Sequence, residues 1–179
     1  MKIKTRILLA LLCVFPLAAE AHALEFMPLT MPELIRKSSE IVHATCISAE
    51  GVQTGGGYIV TAYTFSPHAF AKGSLPDPFS FSLAGGSVGD ESMFVADMPT
   101  FTPGNEYILF LKEGLFILSG DFRVRSSDRK PDERVLQYVP RGFPLYSAAS
   151  GSRLPYGSEL SVDDFFFSIK RFMPDSNCN

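Results

Sequence analysis

Histidine and cysteine are scarce in this chain: each occurs three times among 179 residues. That scarcity excludes much site chemistry at the outset. A metal centre needs converging His, Cys or carboxylate ligands. His43 and His68 fall on separate predicted strands and show no ligand spacing, and the third histidine, His22, falls in the leader described below. No metal and no cofactor are expected. A phosphate-cradling glycine motif is missing, as is an N-glycosylation sequon. Asp163 and Asp164 are neighbours on a predicted helix and diverge, so they suit capping rather than acid–base work. Gly85-Gly86-Ser87-Val88-Gly89 matches the G-x-S-x-G nucleophile elbow. An elbow needs a strand-to-helix turn in a parallel α/β sheet, with the triad histidine following the serine. Every histidine here precedes Ser87, so the stretch reads as a glycine-rich turn and no catalytic residue is assigned.

An excess of positive charge is also lacking. Once the leader is removed, thirteen basic and eighteen acidic side chains remain, a net charge of about −5. A nucleic-acid partner is therefore not expected, because such binding needs a basic surface. Arg123, Arg125, Arg129, Lys130 and Arg134 come nearest to one, but Asp121, Asp128, Asp132 and Glu133 interleave them, as in a solvated loop. Long hydrophobic runs are limited to the first. Met1 to Ala23 reads as a secretion signal: Lys2, Lys4 and Arg6 precede the apolar run Ile7 to Ala19, and Ala21-His22-Ala23 is a cleavage site. No second run of spanning length follows, so no stable membrane insertion is expected after cleavage. Leu12 precedes Cys13, which argues against a lipid-modified cysteine. Residues 24–179 have the length of one domain, exported to the periplasm or the medium. Cys46 and Cys178 survive maturation. A disulfide between them and a buried free thiol at Cys46 are both open readings.

What is present is a succession of short apolar runs. The most informative is Phe101 to Leu118. Pro103-Gly104-Asn105 opens into Tyr107-Ile108-Leu109-Phe110-Leu111, and a turn at Lys112-Glu113-Gly114 leads to Leu115-Phe116-Ile117-Leu118. This predicts a buried hairpin whose first strand, lacking alternation, is covered on both faces. Thr30-Met31-Pro32-Glu33 predicts a short helix with a capping box, Leu34 and Ile35 facing inward. Strands are predicted over Ile41 to Ser48, Tyr58 to Ala71, Phe79 to Leu83, Gly120 to Val124 and Val135 to Val139. In the first of these, the small face Val42, Ala44 and Cys46 is the inner one. Pro67 predicts a bulge or an exposed edge in the second. Gly85 to Thr100 is an irregular connection holding Met93, Phe94, Val95 and Met98, long enough to be functional. Pro140 to Gly157 reads as coil. Ser161 to Phe172 predicts an amphipathic helix, capped by Ser161, with Val162, Phe165, Phe166, Ile169 and Phe172 on one face and Pro174 as its stop.

In order, MPELIRKSSEIVHATC, FAKGSLPDPFSFSLAGG, FTPGNEYILFL and LSVDDFFFSIKRF resemble a group of exported, mostly uncharacterised bacterial proteins. That group is similar to the netrin-like domain of tissue inhibitors of metalloproteinases, an OB-fold barrel with flanking helices. Ala44 stands where the group commonly has glycine. The resemblance implies a mainly β fold: a small antiparallel OB-type β-barrel with a short N-terminal helix and an amphipathic C-terminal one. The inhibitors chelate their target's zinc through an N-terminal cysteine. The mature chain would begin at Leu24, so that mechanism is not implied. The expected function is that of an exported non-enzymatic binding module for an unidentified protein partner, with protease inhibition as one form. A carrier of small apolar ligands is the alternative, and a hydrolase using Ser87 or acidic loop residues a third. The candidate interaction loop comprises Gly86, Ser87, Asp90, Glu91, Met93 and Phe94.

Overall fold

A computed structural model describes residues 29–112, 116–137, 143–155 and 158–173. The leader, the turn at Glu113-Gly114, the segment around Val139 and Pro140, Pro174 and Cys178 lie outside the described residues. Helix α1 spans Met31–Lys37. Its start follows from local spacing: the Glu33 carboxylate accepts the Thr30 backbone N–H at 2.9 Å and its hydroxyl at 2.8 Å. Seven residues are too few for a helix to persist alone. Packing supplies the rest, with Met31, Leu34 and Ile35 buried. At the far end Lys72 Nζ donates to the carbonyls of Ile35 and Ser38, where a cation also suits the helix dipole.

Eight strands follow among the described residues. They are β1 (Glu40–Gln53), β2 (Ile59–Lys72), β3 (Phe79–Ala84), β4 (Gly86–Val88), β5 (Glu91–Met93), β6 (Glu106–Lys112), β7 (Phe116–Ser126) and β8 (Arg134–Leu136). Helix α2, Val162–Phe172, ends the described fold. Six strands form one antiparallel sheet in the order β3-β2-β1-β6-β7-β8; β4 and β5 make a separate two-stranded hairpin. The protein is mainly β, as expected. Two expectations differ in detail. The runs on either side of Ser119-Gly120 belong to a single strand, β7, because its ladder with β6 continues through that point with register shifts instead of breaking. The Gly85 to Thr100 connection is also not wholly irregular, since it contains β4 and β5.

Among the described residues no closed barrel is formed, and β3 and β8 end the sheet. Closure would need those two strands to share a ladder. β8 has only three residues, and its outer side is already taken by the stretch leading into α2. Leu136 N–H donates to the Leu160 carbonyl at 2.8 Å, and Val135 bridges Ser161.

The central strands β1 and β6 separate two apolar clusters, so both are covered on each face, as the unalternating run of β6 predicts. Ile41, Ile108, Phe110, Phe122 and Val124 face the two helices. Phe165 of α2 stacks on Phe122 at 5.8 Å and meets Phe110 edge-on. Ser161 Oγ accepts the Asp164 N–H at 3.0 Å, which caps α2 as expected. Val42, Ala44 and Cys46 enter the opposite cluster with Tyr63, Phe65, Phe79, Phe81, Phe101 and Tyr107. Phe65 stacks on Phe79 and Phe81 at 5.6 and 5.3 Å, and Phe101 sets its edge against Tyr63, Phe65 and Tyr107. Such pairs add about 0.5–1.5 kcal/mol each beyond area burial. Cys46 is fully buried there, and burial pushes its thiol pKa up. The β1–β2 ladder shifts register between Ile41 and Val42, between His43 and Ala44, and between Cys46 and Ser48. The second shift passes over His68, next to Pro67, where the proline predicts a bulge. Each bulge bends the pair further, and together they curve the sheet around the aromatic cluster.

Candidate functional site

The open end of the aromatic cluster is a cleft of about 300 Å³. Its formation starts with two glycines. Gly85 and Gly86 adopt φ of +100° and +126°, values that side chains resist, and the chain leaves β3 to double back as the β4–β5 hairpin. Gly85 N–H donates to the Ile59 carbonyl at 2.9 Å, and Thr61 Oγ1 donates to the Gly85 carbonyl at 2.8 Å. A Cβ on Gly86 would run into Thr61 Oγ1, and one on Gly51 would run into the Ser87 carbonyl. The hairpin therefore lies directly on β1 and β2. Gln53 Nε2 ties it further by donating to Glu91 at 3.0 Å. Asp97, at φ 60°, is the one described non-glycine residue with positive φ, and it turns the chain between Val95 and Met98.

Tyr63 and Leu83 connect the cleft to the aromatic cluster, and Met93, Phe94, Val95 and Met98 wall it. Phe94 is 91% exposed. Of the six residues expected to form the interaction loop, Gly86, Ser87, Met93 and Phe94 line the cleft. Asp90 and Glu91 do not line it; they occupy the hairpin's exposed tip. Thr61, Tyr63 and Leu83 also line it, from strands that the sequence predicts but does not connect with the site. Their alternation with Ile59 and Phe81 along those strands was the available signal.

Ser87 sits mid-strand in β4, and its hydroxyl lies 2.8 Å from that of Ser92. This is an antiparallel hairpin and not the strand-to-helix turn of a nucleophile elbow.

A second cluster lies on the sheet away from the cleft. Although His43 and His68 are on different strands, the β1–β2 pairing brings their rings to 5.0 Å. His43 Nε2 meets Glu106 at 2.9 Å, and Glu106 also accepts from Arg134 Nε at 2.9 Å. Arg134 donates onward to Ser126 Oγ, and His68 Nε2 lies 2.6 Å from Thr45 Oγ1. Burial drives the His43 pKa below its usual value, and the nearby His68 and Arg134 add to that. The Glu106 carboxylate opposes it without prevailing. His43 is thus neutral near pH 7 and donates its Nε2–H to Glu106, a hydrogen bond and not an ion pair. Sequence spacing could not place the two rings together, because their register depends on the bulge at His68. Among the described residues no group of three or more His, Cys, Asp or Glu is placed to hold a metal ion. No described helix is long and apolar enough to cross a membrane.

No family model matches the chain, and no curated protein or solved structure matches it.

Proposed function

We propose that this protein is an exported, non-enzymatic binding module whose cleft receives an apolar side chain of a protein partner. The observation that carries the reading is Phe94, 91% exposed on the wall of a cleft that also holds Met93 and Met98. Leaving a phenylalanine in water forgoes about 1.5–3 kcal/mol of burial. Aromatic anchors beside pliable methionines characterise surfaces that close on a partner. The hairpin that positions Phe94 is seated by two steric approaches at glycine, so the wall is largely preformed. The antiparallel sheet, bulged along the β1–β2 pair and packed on both faces, is what supports keeping a relation to OB-type folds of the netrin-like kind within this proposal. A cleft of about 300 Å³ is at the lower limit for a small-molecule site. That favours a side chain of a larger partner over a free apolar ligand.

The test is affinity capture from the native exported fraction on wild-type protein and on Phe94→Ala. The expected result is a stoichiometric protein retained by wild type and lost from the variant. Equal retention by both, or repeated empty captures, would count against the proposal. A co-purified lipid seen by native mass spectrometry would favour the carrier reading instead.

A further inference from the structure

Charge is distributed unevenly along this chain. From Ser38 to Leu111 the sequence holds a single Lys or Arg, Lys72, against seven Asp and Glu. This span supplies β1 to β5, most of β6 and every wall of the cleft. Lys72 is committed elsewhere, its ammonium held by the Ile35 and Ser38 carbonyls at the end of α1. Arg123, on β7, is directed to Tyr107, 3.4 Å from the hydroxyl and 5.7 Å from the ring centre.

Among the described residues that neighbour the cleft and its hairpin in sequence, the exposed charge is negative. Asp90 and Glu91 form the hairpin tip, Glu50 adjoins the Gly51 on which the hairpin rests, and Asp97 sits between the lining residues Val95 and Met98. Among the described residues none of these four is in a salt bridge; Arg125, Lys130 and Arg134 make theirs with Asp128, Glu159, Glu133 and Glu106. An apolar cleft with an unneutralised acidic rim selects its occupant by two terms. Burial of a side chain against Met93, Phe94 and Met98 supplies affinity, and the rim supplies steering and discrimination by charge.

We infer that the partner segment is cationic and apolar: an aliphatic or aromatic side chain that enters the cleft, flanked by lysine or arginine that meet Asp90, Glu91 and Asp97. This rests on the docking reading above and adds the chemistry of what docks. An acidic segment would place like charges around the same anchor and be rejected.

The probe is a displayed library of random dodecapeptides, selected on the wild-type protein at low salt and depleted on Phe94→Ala. The expected winners combine an apolar anchor with an excess of Lys and Arg over Asp and Glu. Binding of those winners should weaken about tenfold in an Asp90→Asn/Glu91→Gln/Asp97→Asn variant, the product of three exposed pairs, and should weaken as salt is raised. Asparagine tolerates the left-handed backbone at position 97, so this variant keeps the loop. If Phe94-dependent peptides emerge without basic residues, or bind the triple variant as tightly as wild type, the charge inference falls while the docking reading stands. If no selected peptide depends on Phe94, both fall.

Discussion

Replacing Gly51 by alanine adds one methyl group at the point where the hairpin is seated. The new Cβ would meet the Ser87 carbonyl at far less than van der Waals separation and would lie 3.2 Å from Val88 Cγ2. The two nearest atoms are Ser87 backbone, which has no flexible end to move aside, so β4 must lift from β1. Forcing extra volume into a packed contact costs about 1–3 kcal/mol. Alanine also restricts the unfolded chain, which returns about 0.4–1 kcal/mol. The net is a loss of about 1–2 kcal/mol, or a Tm lower by about 2–8 °C for a domain of this size. Because β4 and β5 pair with each other and not with the main sheet, the damage should be local. Amide hydrogen exchange should speed up across Ser87 to Met93, while Tyr107 to Leu111 keeps its protection. Phe94-dependent binding should fall with it. Unchanged protection in the hairpin together with an unchanged Tm would show that β4 does not rest on Gly51, and the account of how the cleft is held would fail.

Other perturbations separate the core from the cleft. Phe165→Ala removes a fully buried ring between α2 and Phe110 and Phe122. It should cost about 3–5 kcal/mol in denaturant unfolding, whereas Phe94→Ala should stay within about 0.5 kcal/mol of wild type. Ser161→Ala deletes the α2 cap and should cost about 0.5–2 kcal/mol in the same assay. His43 has a folded pKa below its unfolded value, so its contribution is present above about pH 6.5 and is lost as pH falls through the folded pKa. Urea unfolding should accordingly show lower stability at pH 5 than at pH 7.5, with a smaller difference in His43→Gln; an identical difference would sink that assignment. In a Cys178→Ser variant the buried Cys46 should resist alkylation in native buffer and react after denaturation, and rapid native alkylation would contradict its placement.

Local rules were legible in the residues themselves. The Thr30–Glu33 capping box, the Ser161 cap and the two-sided burial of β6 depend on neighbours in sequence, or on an apolar run too dense to alternate. Pro67 marked the bulge because it cannot donate to a ladder. What stayed hidden depended on register or on contacts distant in sequence. Gly120 suggested a break, yet the β6 ladder carries β7 through it. The β4–β5 hairpin is three residues a side and relies on a close approach to Gly51 that no local pattern announces. Barrel closure depended on which segment takes the outer side of β8, and Leu160 and Ser161 take it. The His43–His68 pair follows from a register that a bulge resets. The candidate loop was singled out by its length and irregularity, and the contributions of Tyr63 and Leu83 to the cleft it lines came only from the fold.

The central claim is that a protein partner closes over Phe94. A photo-crosslinking amino acid at position 94, compared with the same group at the exposed position Arg129, tests it most directly. In the native exported fraction, irradiation should give one dominant protein adduct from position 94 and none of that mass from position 129. The same adduct from both positions, or none from position 94 while the protein remains folded, would contradict the account.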